Sequence, residues 1–283
     1  EREVVVVDDR PPEFGRDLTP DEIGTGEELE FCVEAFDNIE LSSVFVEYWF
    51  GSGERSNESM SGSDVFKHNI TIPPNSTEKL SYIFHALDRN DNWAGMFGSV
   101  LVEDTIPPVA VIVSERTVNE DTPFILDGSL SSDNIEITSW IWRIEIGPRY
   151  VIDLGERIEH IFEDPGIYTV SLKVTDRWGN WDIASIQLTV LDITPPVADA
   201  GGDRDIEEGL LLFFDSSRSR DNVGVVNWTW SFVWESIYGI DKEVILYGIS
   251  PSYHFSKIGI FEVFLNVSDV AGNSAEDRIL VRV

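Results

Sequence analysis

The side chains best suited to chemistry in this chain are carboxylates and carboxamides that recur in three matching sets. The first comprises Asp8 and Asp9, Asp37 and Asn38, and the run Asp88-Arg89-Asn90-Asp91-Asn92. The second comprises Asp104, Asp133 with Asn134, and Asp176 with Asn180; the third comprises Asp192, Asp221 with Asn222, and Asp269 with Asn273. Six to eight oxygens from Asp, Asn and backbone carbonyls are what calcium, a hard divalent cation, takes as ligands. The same residue types also make Asx turns and accept left-handed backbone with no metal present, so placement must decide between the two readings. The first set, with most carboxylates, is the strongest expected cation site, followed by the third and then the second.

Other chemistry is poorly provided for. His68, His85, His160 and His254 each fall inside a strand-like run with no Ser or Cys nucleophile beside them. Cys32 is the sole cysteine, which excludes an intrachain disulfide and a Cys-based zinc site. It shares a strand face with Glu30 and Glu34, an acidic setting expected to raise its thiol pKa. No GxSxG, HExxH, phosphate-binding Gly loop or dinucleotide fingerprint occurs, so the expected function is non-enzymatic. Asp and Glu number 52 against 20 Lys and Arg, and the net charge of -32 excludes nucleic acid and anionic membrane surfaces as natural partners. No run approaches 18 apolar residues, so no membrane-spanning segment is expected.

The elements that must position these side chains are strands. Val, Ile, Trp, Tyr and Phe fill short alternating runs bounded by Gly, Asn, Asp and Pro, and no stretch of a dozen residues keeps a 3.6 period. An alternating strand precedes each of Asp8-Asp9-Arg10-Pro11-Pro12, Asp104-Thr105-Ile106-Pro107-Pro108 and Asp192-Ile193-Thr194-Pro195-Pro196, and the Pro-Pro pairs are 96 and then 88 residues apart. That period predicts tandem modules of about 90 residues, each large enough for its own β core.

The second and third modules superpose motif by motif. Asp127-Gly128-Ser129 with Ser131-Ser132-Asp133 matches the stretch Asp215 to Asp221; Trp140/Trp142 matches Trp228/Trp230; Gly166-Ile167-Tyr168 through Asp176 to Gly179-Asn180 matches Gly259 to Asp269 and Gly272-Asn273. With Pro107-Pro108-Val109-Ala110 and Pro195-Pro196-Val197-Ala198-Asp199-Ala200-Gly201, these motifs resemble PKD domains, immunoglobulin-like β-sandwich modules of secreted and cell-surface proteins. One departure stands out: an Asp-Phe-Gly-Asp-Gly turn usually follows the Trp-x-Trp strand, and here Arg143 to Gly147 and Ser231 to Glu235 replace it. The first module keeps the turns but not the Gly-x-Tyr entry, and its segment Ser52 to Ser63 reads as a Gly/Ser-rich loop. It resembles a more distant immunoglobulin-like domain.

The resulting expectation is an all-β chain of three tandem immunoglobulin-like or PKD-like sandwiches. Residues 1–9 read as an orphan strand and linker from a preceding module, 10–104 as the immunoglobulin-like domain, and 105–192 and 193–283 as PKD-like domains. In such a sandwich the entering linker, the B–C loop and the F–G loop share one pole, so each acidic set should converge there. Pro-Pro linkers stiffen the chain, which predicts a rod on the order of 110 Å if each sandwich is roughly 35 to 40 Å long. Arrays of this kind resemble archaeal and bacterial surface proteins, implying a surface-layer, stalk or adhesin segment with other cell-surface proteins or glycans as partners. Two alternatives are a carbohydrate- or protein-binding accessory region of a secreted hydrolase, and a filament subunit that self-assembles by donating Val4 to Val7 to a neighbour's sheet edge.

Asn57, Asn69, Asn75, Asn227 and Asn266 head N-x-[ST] sequons, where roughly two are expected by chance. Strand alternation turns Asn69, Asn227 and Asn266 outward, which favours an exported glycoprotein. Trp140, Trp142, Trp228, Trp230 and Trp234 read as core residues, whereas Trp93, Trp178 and Trp181, near hairpin turns, could form a binding surface.

Overall fold

A computed structural model describes residues 8–235 and 241–283; the expected Val4 to Val7 strand lies outside them. The described residues form three β-sandwiches in series, and no helix among them is long and apolar enough to cross a membrane.

The first unit contains β1 (Glu13–Asp17), β2 (Glu22–Gly24), β3 (Glu28–Phe36), β4 (Leu41–Phe50), β5 (Ser56–Ser59), β6 (Ser61–Gly62), β7 (Val65–Thr71), β8 (Leu80–Asp88) and β9 (Trp93–Glu103). They make a four-stranded sheet, β1-β3-β7-β6, facing a five-stranded one, β2-β9-β8-β4-β5. Strict alternation in β8 buries Leu80, Tyr82, Phe84 and Ala86, which close on Leu29, Phe31, Val33 and Ala35 from β3. The Ser52 to Ser63 segment is not simply a loop: Ser56–Ser59 pairs with β4, and Ser61–Gly62 crosses to pair with β7. Its polar residues hid this, because both short strands are exposed at every position, with only Met60 between them buried, and show no alternation.

The second unit contains β10 (Thr117–Asn119), β11 (Pro123–Asp127), β12 (Ile137–Ile146), β13 (Arg149–Leu154), β14 (Arg157–Ile161), β15 (Gly166–Asp176) and β16 (Trp181–Leu191). The third repeats it with β17 (Arg204–Asp205), β18 (Leu211–Phe213), β19 (Val225–Glu235), β20 (Asp241–Tyr247), β21 (Ser252–His254), β22 (Ile260–Asp269) and β23 (Ser274–Arg282). The orders β10-β16-β15-β12-β13 and β17-β23-β22-β19-β20 are the same, each facing a two-stranded sheet, β11-β14 or β18-β21.

Trp142 and Trp230 are fully buried at equivalent positions, and each indole N–H donates to a glycine carbonyl, Gly155 at 2.9 Å and Gly248 at 3.2 Å. Trp140, Trp228 and Trp234 are partly buried against the same cores. Where the PKD-type turn was missing, β12 runs on to Ile146 and reverses at Gly147 (φ 54°) and Pro148 into β13. All three central strands carry a bulge at their start, between Leu41 and Ser43, Ile137 and Ser139, and Val225 and Asn227. Each bulge lies just after an acidic B–C turn, at the pole where the linker enters.

Candidate metal centre

At each pole three aspartates from three separate chain segments converge. Asp8, Asp37 and Asp88 form one group; Asp104, Asp133 and Asp176 the second; Asp192, Asp221 and Asp269 the third, with carboxylate oxygens within 4.8 Å of one another in every group. Each member comes from the same structural place: the linker before Pro-Pro, the turn before the central strand, and the last residue of β8, β15 or β22.

Local backbone chemistry fixes these positions. The turn aspartate spends one oxygen on two successive N–H groups: Asp37 Oδ1 accepts from Ile39 and Glu40, Asp133 Oδ2 from Ile135 and Glu136, and Asp221 Oδ2 from Val223 and Gly224. Its other oxygen is buried and accepts no hydrogen bond from the protein; so are Asp104 Oδ2, Asp192 Oδ2 and the Asn134 side-chain oxygen. Asp104 itself is only 3% exposed, so this is a desolvated oxygen among like charges. None of the nine carboxylates takes part in an ion pair among the described residues. Such a set fits a hard cation, which would accept the orphaned oxygens and cancel the repulsion.

The strand-end aspartates are held by the asparagine four residues on. Asn180 donates its side chain to Asp176 Oδ2 at 2.7 Å and to the Asp104 carbonyl at 2.9 Å; Asn92 does the same to Asp88 and Asp8, and Asn273 to Asp269 and Asp192. Burial opposes the charge on Asp88 and Asp269, yet the hydrogen bonds from Asn92 and Asn273 outweigh it, and both carboxyls titrate below the usual range. These asparagines therefore hold the carboxylates and the linker carbonyl in place rather than facing the centre.

Two of the expected first-pole residues fall outside the group. Asp9 is exposed, and Asp91, also exposed, occupies left-handed backbone (φ 64°) where the other units have Gly179 (φ 93°) and Gly272 (φ 95°). Asn90 donates to the Asp8 carbonyl, and Asn38 to Asp8 Oδ1. The first pole thus offers the same three carboxylates as the others, and the expected ranking loses its basis.

Glu120 is the residue that the sequence did not reveal. It is fully buried, and Glu120 and Thr25 occupy equivalent places: Thr25 N–H donates to the Glu103 carbonyl, Glu120 N–H to that of Leu191. Thr25 reaches across to the second unit, donating its hydroxyl to Asp104 Oδ1 at 2.8 Å, while Asn134 donates back to the Pro74 carbonyl at 2.7 Å. Glu120 reaches to the third unit with both oxygens, accepting from Ile193 and Thr194 N–H and from Asn222 at 2.8 Å. Burial works against its charge, but these donors hold Glu120 below the usual range; burial, with Glu120 and Asp269 nearby, pushes Asp192 up. Both junctions are therefore wired into the poles.

Elsewhere, Cys32 is 6% exposed and accepts cover from Thr19, whose hydroxyl takes its N–H. Its thiol pKa is raised chiefly by burial, with Glu30 and Glu34 as lesser contributors and Lys67 opposing. Trp93 and Trp181 are 65% and 54% exposed, and Trp178 is half-buried. Asn57, Asn69, Asn75, Asn227 and Asn266 are all exposed.

Fold and poles together define a tandem immunoglobulin-like β-sandwich protein with an acidic centre at the head of each unit. The chain belongs to the PKD domain family, which matches residues 105–190 and 193–283. It is 30% identical over 195 residues to the mouse Dyslexia-associated protein KIAA0319 homolog, covering 62% of this chain and 17% of that protein. Over 209 residues it is 30% identical to the human Dyslexia-associated protein KIAA0319, covering 66% and 19%. The chain thus spans less than a fifth of the length of these curated relatives. A solved three-domain immunoglobulin fragment of titin aligns over 96% of this chain and 98% of its own, at 15% identity and a TM-score of 0.45.

Proposed function

We propose that this chain is a non-enzymatic extracellular rod segment of a cell-surface protein, of the surface-layer, stalk or adhesin type, whose domain junctions calcium stiffens. The carrying observation is the threefold repetition of a three-aspartate pole with orphaned oxygens, two of which, at Asp104 and Asp192, stand where one described sandwich meets the next. At the second pole Asp104, Asp133 and Asp176 would hold the ion, with the Asn134 oxygen as a further donor. Thr25 would anchor Asp104 from the preceding unit. The ion would supply charge neutralisation and a rigid link between linker, turn and strand end, and no bond is made or broken.

Export is supported by the five exposed sequon asparagines, and partner binding by the exposed Trp93, Phe97 and Trp181. Small-angle scattering of the chain in chelator and in millimolar calcium tests the junction role. The proposal expects a longer, narrower distance distribution with calcium, abolished in a D133N/D221N variant. Identical curves in both buffers would defeat it.

A further inference from the structure

The five-stranded sheet of the second unit ends in β13, whose outer edge pairs with no strand among the described residues. Arg149, Tyr150, Val151, Ile152 and Leu154 are exposed along it, and the β12–β13 register runs from Ile141↔Leu154 to Ile146↔Arg149 without a bulge. Edges this apolar are normally blunted by charge, proline or a bulge, because their free N–H and C=O groups template another strand. The equivalent edges are more polar: β5 is four polar residues, and β20 opens with the charged run Asp241, Lys242 and Glu243, whereas β13 has two separated charges, Arg149 and Asp153.

Backbone direction along β13 follows from one bond. Gly155 N–H donates to the Trp140 carbonyl, so Asp153, Val151 and Arg149 turn their backbone groups toward β12, and Tyr150, Ile152 and Leu154 turn theirs to the open edge. We infer that β13 pairs antiparallel with β13 of a second copy of this chain, across a two-fold axis at Val151, merging two five-stranded sheets into one.

Three registers set outward residues opposite one another, with axes at Tyr150, Val151 or Ile152; the last pairs all three, and the first two set Ile152 or Leu154 against Pro148 of the partner subunit, which has no N–H to donate. The first sets Arg149 against Val151 of the partner subunit, and the third sets it against Gly155 of the partner subunit. Only the Val151 axis faces Arg149 with Asp153 of the partner subunit, twice by symmetry, while Tyr150 meets Ile152 of the partner subunit in a hydrogen-bonded pair. Arg143 already braces the Tyr150 ring, its guanidinium 4.6 Å from the centroid. Val151 rims an opening between the sheets lined by His160, Phe162 and Tyr168, which the joined strands cover. The contact stands independently of cation binding at the poles.

Sedimentation of the whole chain across micromolar to submillimolar concentration tests the contact. A reversible dimer is expected, weakened at least tenfold by R149D, which sets Asp against Asp, and restored by R149D/D153R. Cysteine trapping in a C32S background reads the register. V151C should form an intermolecular disulfide, since its Cα atoms would stand about 4.5 Å apart in a non-hydrogen-bonded pair. Y150C or I152C alone should not, but a mixture of the two should. A chain monomeric throughout, equal association of single and double charge variants, or I152C cross-linking as readily as V151C would overturn the inference.

Discussion

Replacing Asp133 by Asn isolates the charge at one pole with little change of shape. The amide oxygen can keep the two N–H bonds from Ile135 and Glu136 that build the turn, so the Asx geometry survives. What changes is the atom that stood orphaned beside Asp104 and Asp176, all within 4.8 Å. One unit-charge pair at 4.8 Å costs about 3.5 kcal/mol at an effective dielectric of 20 and about 0.9 kcal/mol in water. Removing one of three charges removes two pairs, so relief lies between about 2 and 7 kcal/mol; Asp133 is only partly buried as a residue, and the lower end applies although its orphaned oxygen is buried. In chelator, D133N should therefore melt on the order of 10 °C above the parent, taking about 4–8 °C per kcal/mol for a domain of this size. Calcium at a hundredfold over Kd should stabilise the parent by about 2.7 kcal/mol and the variant scarcely at all. Scanning calorimetry of both proteins in both buffers gives the four values. A variant less stable than the parent in chelator, or one that keeps the parent's calcium shift, would refute the electrostatic reasoning.

Other perturbations probe the rest of the molecule. Trp142→Ala removes a fully buried indole and its bond to Gly155, and should cost the second unit about 3–5 kcal/mol in denaturant titration, whereas Trp181→Ala, at an exposed site, should cost under about 0.5 kcal/mol. Glu120→Ala strips the Ile193 and Thr194 N–H groups and the Asn222 amide of their acceptor, so spin-label distances between units two and three should broaden, with about 2 kcal/mol lost, while the first junction is unchanged. His160 has its pKa lowered, mainly by burial with Asp153 partly opposing. Above the ordinary histidine value both states are neutral and stability is full, but as pH falls through it the unfolded chain takes the proton first and stability drops. His160→Phe should flatten that acid limb in pH-dependent melting; an unchanged limb would show that another group sets it.

Much of this architecture can be read from residue pattern, for identifiable reasons. Strict alternation in Leu80 to Asp88 and in Gly166 to Asp176 specifies which face is buried, and the repeated Asp-x-x-Pro-Pro phrases mark the junctions. The convergence of linker, turn and strand-end aspartates follows once the sandwich is assumed, because strand direction alone brings those three segments to one pole. Burial and orphaned oxygens are tertiary properties and show only in the folded molecule. Asp91 looked like a ligand because Asp and Gly both satisfy left-handed backbone, and only its φ tells a turn residue from a pole residue. Glu120 was invisible because its role depends on Ile193, Thr194 and Asn222, all from the following unit. β5 and β13 escaped notice as edges, since one is polar throughout and the other, with Tyr150, Ile152 and Leu154 alternating with Arg149, Val151 and Asp153, is exposed along nearly its whole length, so neither shows the apolar-in, polar-out pattern of a half-buried strand.

The central claim, that the three acidic poles are cation sites, is tested most directly by calcium titration of the intact chain in a calorimeter. Three sites per chain are predicted, falling to two in D133N and to one in D133N/D221N. Absence of binding heat at millimolar calcium, or a stoichiometry that the two variants leave unchanged, would contradict it.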